Sequence, residues 1–355
     1  MSGDPRPVLF VTNHAPGYRV PAFARLAERE GVEFALVGGA VRHGGGAGGI
    51  AGLPARRVPE RAIARLAASG RHRAVVAGLS GRLALPSAFL GARRAGVPFV
   101  LWATIWAHPR TPAHALSYAP LRWIYAHADA VVTYGPHVSA YVRAKGARGP
   151  VTEAPQAVDN AFWGASAVPD RRAPFQALFA GRLAPEKGLD VLAAAWRSAG
   201  LTAPGAALVL AGSGPAPPPG AVLAGPRAPG QLRNLYAGSD VLVLPSVPTR
   251  DFREPWGLVV NEAMNQGLPV IATDAVGAAA GGLVQDGRTG LVVPAGDAGA
   301  LARALRRLHD DPGLRTRLGE AGRRAVAAHT FDAWAAGMAR GLAAAGAGRS
   351  APEGC

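Results

Sequence analysis

Two glutamates, Glu254 and Glu262, bracket the start of an amphipathic run in E-P-W-G-L-V-V-N-E-A-M-N-Q-G-L-P-V-I-A-T-D, residues 254–274. The apolar stretch D-V-L-V-L-P at 240–245 reads as a buried parallel strand, and the run from Gly257 to Gln266 reads as a helix closed by Gly267. Glu254 then sits just before the helix and Glu262 inside it. The unpaired amides of Gly257, Leu258 and Val259 can hold a phosphate, because free N–H groups and the helix dipole both favour negative charge there. A carboxylate does not share that spot comfortably, and its natural partners are hydroxyls. A ligand with phosphates in the middle and polyols at both ends would satisfy the helix start and both glutamates together, and a nucleoside diphosphate sugar has that layout.

A second anion site precedes it. In F-Q-A-L-F-A-G-R-L-A-P-E-K-G-L-D, residues 175–190, an apolar strand ends at Gly181 and is followed by Arg182, a Pro-containing loop, Lys187 and a new helix. Ligands of parallel α/β sheets collect at the carboxyl ends of strands, so this pair of cations is placed to neutralise a diphosphate leaving group. Taken singly, either cation reads as an ordinary surface charge; combined with the Glu254–Glu262 segment, the pair reads as an anion site.

These segments resemble the retaining GT-B glycosyltransferases of family 4 (the glycosyl transferases group 1 type). G-R-L-A-P-E-K-G at 181–188 and E-P-W-G-L-V-V-N-E-A-M at 254–264 carry the likeness, with G-S-G-P at 212–215 and D-V-L-V-L-P-S at 240–246 as companions. The resemblance implies that Arg182 and Lys187 bind the diphosphate, that Glu254 binds the transferred sugar, and that Glu262 binds the ribose. The helix-start amides at Gly257, Leu258 and Val259 complete the donor site. It further implies the α/β GT-B fold, with two Rossmann-like, doubly wound parallel-sheet domains facing a central cleft.

The chain's rhythm agrees. Apolar runs recur at 7–12, 33–37, 74–77, 97–103 and 130–134, and again at 175–180, 206–211, 240–245 and 268–273. An acceptor-binding domain is expected over 1–165 and a nucleotide-sugar domain over 172–330, with linker at 165–174. The segment 151–163 resembles the family's last N-domain strand and the Val-Asp-x-x-x-Phe element after it; Asp159 within it reads as a turn or cap residue. A helix over 331–346 would cross back to the first domain, leaving 347–355 as a disordered tail. Gly/Pro-rich patches at 43–52 and 214–220 read as mobile surface loops.

Remaining chemistry would come from the first domain. H-A-P-G-Y-R-V-P at 14–21 follows the first strand, where the family places a glycine loop, but only Gly17 of the usual double glycine is present, beside Tyr18 and Arg19. These three residues read as acceptor-side. Arg19 is placed either to bind an acidic acceptor or the diphosphate, or else to cap the next helix or pair with a glutamate. His108 lies where the family carries a histidine facing the transferred sugar, making it the second catalytic candidate beside Glu254; His114 and His127 compete for the role. Trp102 and Trp106 read as core or cleft wall. Gly282 stands where relatives usually carry an acidic residue.

Composition narrows the partners. The net charge is +15, and residues 1–165 hold 19 Lys+Arg against 8 Asp+Glu, so the excess lies in the first half. An acidic acceptor or an anionic membrane surface would suit it, and Arg57, Arg61 and Arg65 with Ile63 and Leu66 resemble a short interfacial helix. Nucleic acid does not fit, since the basic residues are scattered and lack interleaved aromatics. No apolar run suffices to span a bilayer and the N-terminus opens into a strand, so a cytoplasmic protein is expected, either free or peripheral on the inner face of the plasma membrane, the basic excess reading equally as an Ala/Arg/Gly-rich composition. The one cysteine, Cys355, permits no intrachain disulfide. No Asp-x-Asp motif occurs, so no metal and no cofactor beyond the donor substrate are expected. The reaction expected is retaining, metal-independent sugar transfer to a glycan, lipid-linked or small-molecule hydroxyl. The alternatives are a GT-B sugar phosphorylase or nucleotide-sugar epimerase, and a non-catalytic scaffold.

Overall fold

Continuous apolar runs of four to six residues become strands buried on both faces, as a parallel sheet covered by helices requires. The computed structural model describes residues 4–38, 52–79, 81, 83–214 and 219–349. The chain divides into two units, one formed by Met1–Ala157 with Thr330–Cys355 and the other by Val158–His329.

The first unit contains β1 (Val8–Thr12), β2 (Val32–Leu36), β3 (Ala55–Arg57), β4 (Ala74–Gly78), β5 (Phe99–Trp102), β6 (Ala130–Thr133) and β7 (Val151–Glu153). They pair in parallel in the order β3-β2-β1-β4-β5-β6-β7. The second unit contains β8 (Phe175–Ala180), β9 (Ala206–Ala211), β10 (Val222–Leu223), β11 (Val241–Leu244), β12 (Val270–Thr273) and β13 (Leu291–Val293). Their order is β10-β9-β8-β11-β12-β13, again all parallel. Each sheet therefore reverses winding once, between β1 and β4 in the first unit and between β8 and β11 in the second. Such a switch point leaves a crevice at the strand carboxyl ends, where doubly wound proteins bind ligands.

Several expectations are corrected. The first unit closes at Ala157, upstream of the linker expected at 165–174, because the helix Asn160–Gly164 is tied to the second unit. Asn265 donates from Nδ2 to Asn160 Oδ1 at 2.9 Å, and Gln266 Nε2 donates to the carbonyl of Ala165 at 2.9 Å. Asp159 caps that helix, accepting from the Phe162 amide at 2.9 Å. The basic interfacial helix expected around Arg57–Leu66 is helical only from Glu60 to Ala67, and its apolar side chains turn inward. Arg57 lies on the edge strand β3 and donates to the Gly38 carbonyl at 3.0 Å, while Ile63 and Leu66 are buried. Their apolar surface is used in the core, so none remains for a membrane.

The C-terminal helix Phe331–Ala344 packs within the first unit. Gly341 allows this approach, since a Cβ there would meet Val132 Cγ2 at 2.2 Å. Residues 347–349, expected in the disordered tail, are docked. Arg73 and Glu30, both buried, are ion-paired at 2.9 Å; the Arg73 Nε donates to the Ala347 carbonyl at 3.0 Å and the Arg349 amide donates to Glu30 at 3.1 Å. A buried guanidinium needs acceptors for its donors, and the tail supplies one. The remainder of the tail, residues 350–355, and the patches 43–51 and 215–218 lie outside the described residues.

Candidate functional site

Lys187 and Glu254 leave the carboxyl ends of β8 and β11, the strands flanking the second unit's switch point. Lys187 ends a single 3-10 turn, Pro185–Lys187, and is followed by Gly188 in the left-handed conformation at φ 68°. A Cβ at Gly188 would stand 2.1 Å from the Pro245 carbonyl oxygen, so the turn seats tightly on the loop after β11 only because glycine is there. This seating carries the Lys187 ammonium onto Glu254, with which it forms an ion pair. The two side chains are only 13% and 9% exposed. Ser246, fully buried, donates from Oγ to Glu254 Oε2 at 3.1 Å, and the Phe252 ring lies 5.4 Å from the ammonium.

The backbone beneath is clamped. The Gly277 amide donates to the Glu254 carbonyl at 3.1 Å and the Ala278 amide to the Trp256 carbonyl at 2.9 Å. Buried Trp256 donates from its indole to Asn261 Oδ1 at 2.7 Å. Gly257 then turns the chain into the helix Leu258–Asn265 at φ 92°. A Cβ on Gly257 would meet Leu244 Cδ2 at 2.5 Å, which fixes the helix start against β11. The first-turn amides of that helix precede its internal hydrogen-bond ladder.

Glu262 lies one turn inside the helix and accepts from the buried Tyr236 hydroxyl at 2.7 Å. It keeps some accessible surface, yet protein crowds its carboxyl on nearly every side. The crowding governs its ionisation: burial pushes the carboxyl up to about 7, with the Tyr236 bond opposing weakly. Arg182 is different, because its side chain is 53% exposed and pairs with Glu186 at 2.8 Å. The structure thus brings Lys187 and Glu254 into contact and ties Arg182 to a separate carboxylate.

In the first unit, Gly17–Arg19 form one 3-10 turn after β1; Arg19 occupies the N-cap position of the next helix without a side-chain capping bond, and among the described residues it pairs with no glutamate. His108 places Nε2 2.9 Å from the His114 carbonyl oxygen, which puts the ring proton on Nε2. Its Nδ1 is enclosed and has no hydrogen-bond partner among the described residues, and the Tyr118 ring lies 4.9 Å away. His114 bonds Thr111 through Nδ1 at 2.7 Å, and His127 bonds the Trp123 carbonyl at 2.8 Å, so both competitors are engaged locally. Trp102 is buried in the aromatic core. Gly282 adopts φ 86° with open space around its Cβ direction.

Sequence reasoning missed Ser246, Phe252 and Tyr236 as site residues. Ser246 was in view as the last residue of D-V-L-V-L-P-S; the other two have no local signal. Among the described residues no group of three or more His, Cys, Asp or Glu could hold a metal ion, and no helix is long and apolar enough to cross a membrane.

Residues 174–311 match the family model of Glycosyl transferases group 1. Over this stretch, which lies within the second unit, the chain is similar to the group 1 glycosyltransferases. Its curated relatives include the D-inositol 3-phosphate glycosyltransferase of Streptomyces avermitilis, 40% identical over 112 residues. The match takes in 31% of this chain and only 22% of that relative. The alpha-D-kanosaminyltransferase of Streptomyces kanamyceticus is 36% identical over 157 residues, 40% of this chain and 38% of the relative. The glycogen synthase of Mycobacterium tuberculosis is 30% identical over 215 residues, 57% and 50% respectively. Among solved structures, Anabaena HepE in complex with UDP-glucose superposes with a TM-score of 0.72 at 19% identity, covering 95% of this chain and 99% of that one. Sucrose-phosphate synthase from Thermosynechococcus elongatus gives 0.71 at 20% identity, covering 94% and 98%. The two parallel-sheet units and these superpositions show the α/β GT-B fold.

Proposed function

We propose that the protein transfers a sugar from a nucleoside diphosphate sugar to a hydroxyl acceptor with retention of anomeric configuration. The observation that carries this reading is the buried Lys187–Glu254 pair at the switch point, beside the start of the helix Leu258–Asn265. One cation, one carboxylate and a row of helix-start amides match the phosphates and hydroxyls of such a donor. Lys187 and the amides bind the diphosphate, Arg182 adds a solvent-facing charge, Glu254 accepts from a sugar hydroxyl, and Glu262 accepts from the ribose.

In this mechanism the bond between the anomeric carbon and the diphosphate oxygen breaks as that carbon bonds to the acceptor oxygen. The departing oxygen takes the acceptor's proton on the face it leaves, so neither an enzymic nucleophile nor a metal or other cofactor is needed. His108, placed after β5, contacts the transferred sugar. Named transferases among the relatives, and HepE's complex with UDP-glucose, support the donor class. The acceptor class spans surface glycans, glycolipids and small-molecule glycoconjugates of a bacterial cell.

Peripheral contact with the anionic inner face of the plasma membrane has its own support. The helix Pro112–His127 exposes Leu116 and Trp123 and carries no acidic side chain.

The test is thermal stabilisation by UDP, GDP, ADP and their sugar derivatives, with and without magnesium, repeated on Glu262→Ala and Lys187→Ala. Metal-independent stabilisation by one nucleotide, lost in both variants, is expected. Stabilisation by inorganic phosphate and sugar phosphate alone would indicate a phosphorylase, and inversion at the anomeric centre of the product would refute the mechanism.

A further inference from the structure

Arg19 stands at the carboxyl ends of the first unit's strands, held by residues from three of them. It follows β1, Trp102 ends β5, Tyr134 follows β6 and Gln156 follows β7. Its Nη2 donates to Gln156 Oε1 at 2.9 Å and to the Tyr134 hydroxyl at 3.5 Å. The guanidinium centre lies 5.2 Å from the Trp102 ring and 5.7 Å from the Tyr134 ring. Trp102, Tyr134 and Gln156 are all buried, so they form a rigid seat. The seat fixes the plane of the guanidinium without neutralising it, since aromatic faces and an amide carry no net charge.

Among the described residues Arg19 forms no ion pair, and its Nε and Nη1 make no hydrogen bond. The side chain is part-exposed, and the adjacent Tyr18, whose ring lies 5.6 Å from the guanidinium, is 51% exposed. Other inward-turned arginines of this unit are treated differently: Arg73 is neutralised by Glu30. Arg19 is therefore a preorganised cation whose Nε–H and Nη1–H remain to donate to an oxygen of a carboxylate or phosphate.

We propose that Arg19 recognises an anionic group, a carboxylate or phosphate monoester, on the acceptor, with Tyr18 as the exposed wall beside it. This rests on the transferase reading, and narrows the acceptor from any hydroxyl compound to an acidic one. The excess positive charge of residues 1–165, 19 Lys+Arg against 8 Asp+Glu, would draw such an acceptor toward this unit.

The experiment is isothermal titration of the full chain with glucose 6-phosphate, glucuronate and glucose, each with and without saturating UDP, on wild type, Arg19→Gln and Arg19→Lys. Circular dichroism and the thermal midpoint report whether each variant is folded. Both anionic sugars are expected to bind roughly ten- to a hundredfold tighter than glucose, with saturating UDP present. Arg19→Gln should erase that preference while leaving UDP affinity within about twofold, and Arg19→Lys should restore part of it. A wild type that does not distinguish glucose 6-phosphate from glucose would overturn the proposal, as would an Arg19→Gln variant that keeps the preference. Loss of anionic-sugar binding on adding UDP, with UDP binding weakened in Arg19→Gln, would reassign the cation to the donor diphosphate. If UDP fails to bind the wild type but the Arg19-dependent preference remains, the anion site stands and the transferase reading falls.

Discussion

Lys187 and Glu254, separated by 67 residues of sequence, form an ion pair whose side chains are 13% and 9% exposed. The two residues assigned separately to diphosphate and sugar are thus one unit in the absence of ligand. An arriving diphosphate would share the ammonium, and the carboxylate would turn its remaining lone pairs to a hydroxyl.

Removing one partner should cost more than removing both. Lys187→Met strands a buried carboxylate and is expected to destabilise the second unit by about 3 kcal/mol. The double variant Lys187→Met/Glu254→Gln should recover a part of that, with a coupling energy of about 1 to 2 kcal/mol. Urea unfolding of the four proteins measures this, and additive losses would mean the pair contributes no mutual stabilisation.

Stability should depend on pH through Glu262. Its folded pKa of about 7 lies above the ordinary 4.5, so the folded chain holds a proton that the unfolded chain has released. The contribution is fully present below about 4.5 and is lost as pH rises to about 7, a decline of roughly 3 kcal/mol at most. Glu262→Gln should flatten that part of the stability profile. The sign for ligand is opposite: ribose hydroxyls donate best to the ionised carboxylate, so nucleotide affinity should rise with pH through about 7 in wild type and not in Glu262→Gln. Calorimetric titration across that window tests it, and a pH-independent affinity would remove Glu262 from the ribose.

Gly188 and Gly267 make a matched pair of substitutions. Both adopt positive φ, 68° and 71°, but a Cβ on Gly188 meets the Pro245 carbonyl oxygen at 2.1 Å whereas one on Gly267 meets nothing within 4 Å. Gly267→Ala should cost only the backbone conformational penalty, about 1 kcal/mol, and leave nucleotide binding intact. Gly188→Ala should cost at least about 2 kcal/mol and weaken nucleotide binding tenfold or more by displacing Lys187. Equal effects from the two would show that the turn does not position the lysine.

Membrane contact is testable on the helix Pro112–His127. The protein should co-sediment with phosphatidylglycerol vesicles and not with phosphatidylcholine vesicles, and raised salt should weaken the association. Leu116→Asn combined with Trp123→Ser should reduce binding about tenfold, since both side chains are exposed, 84% and 48%. Unchanged binding in that variant would place the contact elsewhere.

Much of this architecture is legible because its signals are local. The runs at β1, β4, β8, β9 and β11 are continuous and apolar because both sheet faces are covered, and that same burial makes them visible in sequence. β3, β10 and β13 escape notice, being two or three residues long, too short for any periodic pattern. The helix at Leu258–Asn265 is announced by Gly257 and Gly267 at its ends. Around Arg57, by contrast, helical spacing misleads, because pairing with β2 at the sheet edge overrides local preference.

Sequence alone determined the doubly wound α/β class, the strand-end positions of Lys187 and Glu254, and the helix start at Gly257, since each depends on residues near in the chain. Tertiary structure decided which charges meet. Lys187 is paired with Glu254 because Gly188 seats its turn on the loop after β11, while Arg182, five residues earlier, faces solvent with Glu186. It also decided that Arg19 rests on Trp102 and Tyr134 with no carboxylate partner among the described residues, and that the proton of Glu262 depends on crowding around Tyr236. Ion pairing and desolvation depend on distances of a few ångströms between segments far apart in sequence, and only the packed sheets fix those distances.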